Sequence, residues 1–248
     1  MVKKLILHIP HSSTFIPFKE GYIVDEATIE SEILKLTDWY TENLFHSSSD
    51  EMIIANFSRI FCDPERFSDD SQEVMSKCGM GVLYEKTDDG QLMRKVSQEL
   101  RQKILSEYYW KHHNKFNKAV SEQLEKYGKV IIVDCHSYPS TPLKRDLDQK
   151  KSRPDFNIGT DKFHTTKELI EISKYFFNKK GYTLGVDWPY SGSIVPLEYY
   201  NKNKNVQTIM LEINRALYLE EPSNNKSINY DKTKQIVSEF LDTIRNAL

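Results

Sequence analysis

Two histidines and a scatter of carboxylates in this chain stand just after short apolar runs, and those positions carry its chemistry. His136 follows four β-branched residues in the run Val130-Ile131-Ile132-Val133-Asp134-Cys135-His136-Ser137. His11 follows a second apolar run in Ile9-Pro10-His11-Ser12-Ser13. Neutral imidazole is the commonest metal ligand, so two histidines delivered by separate strands of one sheet can meet around an ion. A polar turn with a solvent-facing imidazole is the plainer alternative. Asp38 sits between Leu36 and Trp39-Tyr40; a carboxylate near buried surface needs a cation or several donors. Arg59, Asp63, Glu65 and Arg66 crowd one eight-residue window. They suit either a bidentate clamp on a substrate carboxylate or a surface ion-pair network of small worth, and composition alone favours the network. Glu212, Asn214 and Arg215 close a further β-rich run.

The elements that must hold these groups follow from periodicity. A run that is apolar at every position suits a strand covered on both faces, as in a parallel sheet flanked by helices. Ligands of such sheets lie at the carboxyl ends of the strands. Strands are expected at Lys4–Ile9, Met52–Phe57, Val130–Val133, Tyr182–Val186 and Val206–Ile213, with a short apolar alternation within 154–161. Helical spacing predicts helices over 25–45, with Asp25 as cap, over 91–127, closed by Gly128, and over 165–179. A last helix carries Ile236, Phe240, Ile244 and Leu248 on one face. Ser68 to Gly90 reads as a long loop with a short strand at 81–84, and 141–153 as an exposed loop. Asp187 to Ser193 is a turn-rich loop at another strand end. His112 and His113 are adjacent on a helix, cannot share a face, and read as structural or solvated. Strands alternating with helices give an α/β fold, a three-layer α/β/α sandwich with a mixed, mostly parallel sheet, expected as a single domain over 1–248.

Bulk properties narrow the partners. The 248 residues are 39% hydrophobic and 28% charged, the balance of a globular protein. A net charge of -2 gives no global electrostatic case for nucleic acid or an anionic membrane. Three widely spaced cysteines argue for a reducing compartment and against a disulfide framework or a thiolate zinc site. No stretch is long enough for a membrane span, and the apolar run after Lys4 is too short for a signal peptide. The expectation is a cytoplasmic protein acting on a small molecule.

Two histidines, one carboxylate and an open fourth position make a catalytic zinc site, and an unligated glutamate can serve as its general base. The order histidine, carboxylate, histidine, late glutamate is that of zinc carboxypeptidase-like folds and their aspartoacylase relatives. His8-Ile9-Pro10-His11-Ser12-Ser13, Thr37-Asp38-Trp39-Tyr40, Ser58-Arg59, Asp134-Cys135-His136-Ser137 and Glu212-Ile213-Asn214-Arg215 together resemble the N-formylglutamate amidohydrolase family, from about residue 6 to residue 218. The resemblance implies a carboxypeptidase-like fold and zinc-dependent hydrolysis of an N-formyl amide, releasing formate and glutamate. It makes His11 and His136 zinc ligands. The aspartoacylase relatives supply a glutamate three residues after the first histidine; here that residue is Thr14, so Asp38 is taken as the third ligand. Glu212 matches the late catalytic glutamate. Arg59, then Arg66, match arginines that hold substrate carboxylates, with Arg215 beside them. Tyr190 and Gly192 match a substrate loop, from whose family pattern Asp187 and Ser193 depart.

The expected reaction is attack of an activated water on the acyl carbonyl, with one zinc per chain, Glu212 as base and an arginine at the oxyanion. Rival readings are a same-fold hydrolase of another N-acyl amino acid or peptide, a Cys135–His136 nucleophile pair, and a non-catalytic ligand-binding domain. The cysteine reading conflicts with strand geometry, because neighbouring residues point to opposite faces.

Overall fold

The structure, a computed structural model, describes residues 4–246. Its centre is a six-stranded sheet in the order β2-β1-β3-β6-β4-β5. The strands are β1 (Ile6–Ile9), β2 (Glu51–Ile54), β3 (Val130–Tyr138), β4 (Phe156–Gly159), β5 (Leu184–Val186) and β6 (Val206–Asn214). All neighbours are parallel except β4 and β6. The mixed, mostly parallel α/β architecture is as the sequence pattern implies.

Helices cover both faces. The helices are α1 (Glu26–Leu36), α2 (Thr41–Leu44), α3 (Gln98–Ile104), α4 (Trp110–Tyr127), α5 (Lys167–Lys179) and α6 (Tyr230–Arg245). Phe116, Ala119 and Val120 of α4 pack on Ile6, Val130, Ile132 and Val206. On the other face Leu7, Ile9, Ile131, Val133, Ile209 and Leu211 meet Leu169 and Phe177 of α5 and Val237, Phe240 and Ile244 of α6. Leu248, assigned to the same face of the last helix, lies outside the described residues.

Side-chain alternation then sorts β3. Ile131, Val133 and Cys135 point into the α5–α6 layer, while Ile132, Asp134 and His136 point to the α4 side. In register, His8 pairs with Asp134 and His136 with Glu212. The polar half of each central strand therefore shares one face, beyond the end of α4.

Three elements differ from the periodicity reading. The helix expected over 25–45 is two. Asp25 caps α1 by accepting from Thr28 N at 2.9 Å, but Thr37 is extended and Tyr40 is left-handed at φ 61. The break frees Asp38 N to bond His11 O at 2.9 Å, which ties the turn to the end of β1. The helix expected from residue 91 begins at Gln98, where Ser97 Oγ accepts from Leu100 N. Residues 91–94 instead form extended bridges to Lys86 and Tyr22, with Met93 and Arg94 buried and Leu92 outward. A π-helical turn at Leu105–Tyr109 joins α3 to α4; Tyr109 is buried, Tyr108 packs on Phe57 and Phe61, and the expected face continues through Phe116 and Val120. Finally, the 68–90 segment is irregular but packed: it holds a 3-10 turn, Val74–Cys78, and Val82, Leu83 and Tyr84 are buried. Only an isolated bridge, Met80–Tyr84, stands where a strand was expected.

Candidate active site

The carboxyl ends of β1, β3 and β6 open on a cavity of about 310 Å³. His11, Asp38, Arg59, Glu65, Arg66, His136, Tyr190, Glu212 and Arg215 are among its lining residues. Residues separated by up to two hundred positions thus meet where the sheet's geometry directs them.

Both imidazoles are oriented by carboxylates. His11 Nε2 lies 2.8 Å from Asp63 Oδ1, and since an ionised carboxylate only accepts, Nε2 carries the proton. His136 Nε2 lies 3.1 Å from Glu65 Oε2 and 3.2 Å from Asp134 Oδ1. Each ring consequently turns Nδ1 toward Asp38, whose Oδ2 is 3.0 Å from His136 Nδ1 and 3.6 Å from His11 Nδ1. His11 Nδ1 is buried without a hydrogen-bond partner. Carboxylate–imidazole pairs of this kind fix tautomer and ring orientation around metals.

Glu65 is a further carboxylate of the cluster. It offers an oxygen within 4.8 Å of donor atoms of His11 and His136, and another such group combines it with His8 and Asp134. Its Oε1 is buried without a hydrogen bond, 3.5 Å from His8 Nδ1. Burial disfavours charge on His136, yet Glu65, Asp134 and Asp38 together push its pKa well above the ordinary imidazole value. Burial also works against the Asp38 carboxylate, but the two imidazoles hold its pKa well below the usual range. The imidazole and carboxylate donors grouped here are of the kind that can hold a metal ion.

Glu212 behaves differently. It is 6% exposed, and its Oε2 faces the cavity region without a hydrogen-bond partner. Burial, aided by Asp38 and Glu65, pushes its pKa up to about 8, against the opposing pull of His136 and Arg215. A carboxyl group that exchanges its proton near neutrality is what general acid–base work requires.

The arginines divide into two kinds. Arg59 donates Nη2 to Asp63 Oδ2 at 3.0 Å and Nε to the Tyr84 hydroxyl at 3.2 Å. Arg66 Nε is buried and lies 3.6 Å from Asp63 Oδ2, an ion pair without a hydrogen bond. Asp63 is fully buried, so the 59–66 window is an internal cluster and the surface-network alternative fails. Arg215, expected beside the substrate, has its donors committed to the protein: Nη2 to Asp38 Oδ1 at 3.0 Å, Nη1 to Lys35 O at 2.7 Å, and Nε to Ser137 Oγ at 3.3 Å. The Tyr190 hydroxyl bonds Asp146 Oδ2 at 3.0 Å at the cavity wall. Gly192 is not part of the lining; its carbonyl packs on Gly159, where a Cβ would come within 2.1 Å.

Cys135 is fully buried on the opposite face, and burial pushes its thiol pKa far up. It is no nucleophile for His136. His112 is structural: its Nε2 meets His8 Nε2 at 2.9 Å behind the site, and burial holds it neutral. His113 bonds Pro64 O at 2.8 Å. Glu65 and His8 are the participants that sequence reasoning left without a role. Their only signal was a charge doublet after buried Cys62 and a histidine at an inward position of an apolar strand.

The sequence pattern of the N-formylglutamate amidohydrolase family matches residues 3–219. Among solved structures, the chain is similar to a crystal structure of N-formylglutamate amidohydrolase from Ralstonia eutropha JMP134, with TM-score 0.85 and 22% identity, over 99% of this chain and 94% of that one. It is also similar to that of a gene product from Agrobacterium tumefaciens, with TM-score 0.67 and 16% identity, over 98% and 91% of the two chains. At these identities the two structures bear on the fold. No curated protein matches the chain. Among the described residues no helix is long and apolar enough to cross a membrane.

Proposed function

Since the chain belongs to the N-formylglutamate amidohydrolase family, an enzyme family acting on amides, we propose that it hydrolyses N-formyl-L-glutamate to formate and L-glutamate with one bound zinc ion. The observation that carries this is the convergence of two imidazole Nδ1 atoms on one carboxylate, in a cavity that also holds Glu212 with a free oxygen. His11, Asp38 and His136 hold the metal. The unpartnered Nδ1 of His11 and the nitrogen- and oxygen-donor set favour zinc. Asp38 is preferred to Glu65 because its Oδ2 is the oxygen toward which both Nδ1 atoms turn, at 3.0 and 3.6 Å, whereas Glu65 lies on the Nε2 side of His136. When bound, zinc lowers the pKa of a coordinated water and polarises the acyl oxygen.

The chain's own groups do the rest. Asp63, and Glu65 with Asp134, keep the two imidazoles in the tautomer that presents Nδ1. Arg215 fixes Asp38 through Oδ1. Arg59 and Arg66 pair with the substrate's α-carboxylate, a planar acceptor that guanidinium matches. Glu212 takes a proton from water as the new C–O bond forms at the formyl carbon. It returns that proton to the amide nitrogen as the C–N bond breaks, so formate and the free amine leave. The formyl carbonyl of the substrate is thereby attacked by water directly, with no covalent enzyme intermediate.

The test is metal content of the purified protein, then chelation and restoration with N-formyl-L-glutamate as substrate. About one zinc per chain, with activity that falls and returns, is the expected result. A protein that takes up no divalent metal overturns the metal assignment. A zinc-loaded protein inactive on N-formyl-L-glutamate but active on other N-acyl amino acids overturns the substrate.

A further inference from the structure

Arginines that line the cavity have carboxylate neighbours, with one exception. Arg59 pairs with Asp63, Arg66 lies within 3.6 Å of Asp63 and Glu73, and Arg215 pairs with Asp38. Arg145 also lines the cavity. Among the described residues no carboxylate lies within ion-pair distance of its guanidinium, which bonds only main-chain carbonyls: Nε to Asp88 O at 3.1 Å and Nη1 to Cys78 O at 3.0 Å.

The surrounding turn is shaped to keep it there. Asp88 directs its carboxylate away from the guanidinium and onto the backbone, accepting from Arg145 N at 3.0 Å and Lys144 N at 3.1 Å. Asp88 N is itself held by Glu32 Oε2 at 2.7 Å. Gly90 sits at φ +85, and a Cβ there would lie 2.0 Å from Arg145 Nη2. The chain thus leaves room for this side chain at a residue whose backbone already favours glycine. A fixed guanidinium beside a cavity, with no carboxylate at ion-pair distance among the described residues, is a site for an anionic group of the ligand.

Resting on the amide-hydrolase reading above, we infer that Arg145 binds the side-chain carboxylate of an acidic N-acyl amino acid. Arg59 and Arg66 take the α-carboxylate at the other cationic pole, so the two poles select a dicarboxylate. Arg145 is a specificity-determining residue. Lys35, the other cation of the lining, is engaged by Glu32 and Asp89 and is not free for this task.

The test compares N-formyl-L-glutamate with N-formyl-L-glutamine, which differ only in that carboxylate. The wild-type protein prefers glutamate by about 10- to 100-fold in kcat/KM, the range of one hydrogen bond to a charged group. Arg145→Gln keeps a donor for the carbonyls and loses the charge. It lowers kcat/KM for the glutamate substrate by that factor, mainly through KM, and leaves the glutamine substrate nearly unchanged. A purely structural role would instead lower both substrates together. Equal loss on both, or a wild-type protein that shows no preference, overturns the assignment of Arg145 alone; the second outcome holds even if the variant fails to fold. No hydrolysis of either substrate by the zinc-loaded wild type overturns the amidohydrolase reading, and this assignment with it.

Discussion

Glu212→Gln in metal-stripped protein should change how stability depends on pH. Burial is the main reason that the Glu212 carboxyl has its pKa raised from 4.5 to about 8, with Asp38 and Glu65 adding to it. The folded state therefore keeps a proton that the unfolded chain has already lost across that interval. Stability is full below the unfolded value and falls as pH rises, by about 1.36 kcal/mol per unit, until the folded pKa is passed. Over the interval the loss comes to about 4 to 5 kcal/mol. Glutamine has no proton to lose, so the variant escapes this loss. Urea unfolding of both proteins with chelator present, at about pH 5 and about pH 8, reads the effect as a shift of roughly 4 kcal/mol toward the variant at the higher pH. Stability curves that stay parallel across this range would refute the reasoning, because Glu212 would then titrate alike in both states. With zinc restored, the same substitution should keep the metal and lower kcat by about 10²- to 10⁴-fold, the range of general acid–base catalysis.

Two further substitutions separate roles within the cluster. Asp38→Ala should abolish zinc retention through dialysis, whereas Glu65→Gln should weaken zinc affinity by about 10- to 100-fold, as for groups that orient ligands; the reverse ranking in metal analysis would make Glu65 the third ligand. Asp38→Ala also strands the Arg215 guanidinium, at a cost of about 3 to 5 kcal/mol in chemical unfolding. Cys135→Ala should retain turnover and show the same response to thiol reagents as the wild type, since the thiol lies across the sheet from the cavity; loss of turnover in a folded variant would restore a chemical role to it.

The central strand was legible because its signal is local. Four β-branched residues followed by Asp134 and His136 specify a buried strand and its polar end without reference to other parts of the chain. Alternation alone then places Cys135 opposite His136. The break at Asp38 was not legible, because helical spacing continues from Ile29 to Leu44 while the interruption is set by a bond to His11 O, a partner far away in sequence. The long helix misled in a similar way. Leu92 fits the spacing of Val96 and Leu100, yet it is outward in an extended bridge, while the later face at Phe116 and Val120 is inward as the spacing implies. Glu65 was visible as one of four charges in a window. Its place beside His136 depends on Asp63 being buried, which tertiary packing decides.

The strap formed by Asp88, Gly90 and Arg145 stands outside the sheet, held by hydrogen bonds to main-chain atoms and not by the apolar layers. The two imidazoles and Glu212 belong to the ends of β1, β3 and β6, whose other residues fill both cores. In evolutionary terms the two parts are separately heritable. On the proposed reading, a change of residue in the strap can redirect which amino acid is accepted while the apolar layers and the groups at the strand ends stay as they are. Drift at the strand ends, by contrast, is constrained on two faces at once, by packing and by chemistry.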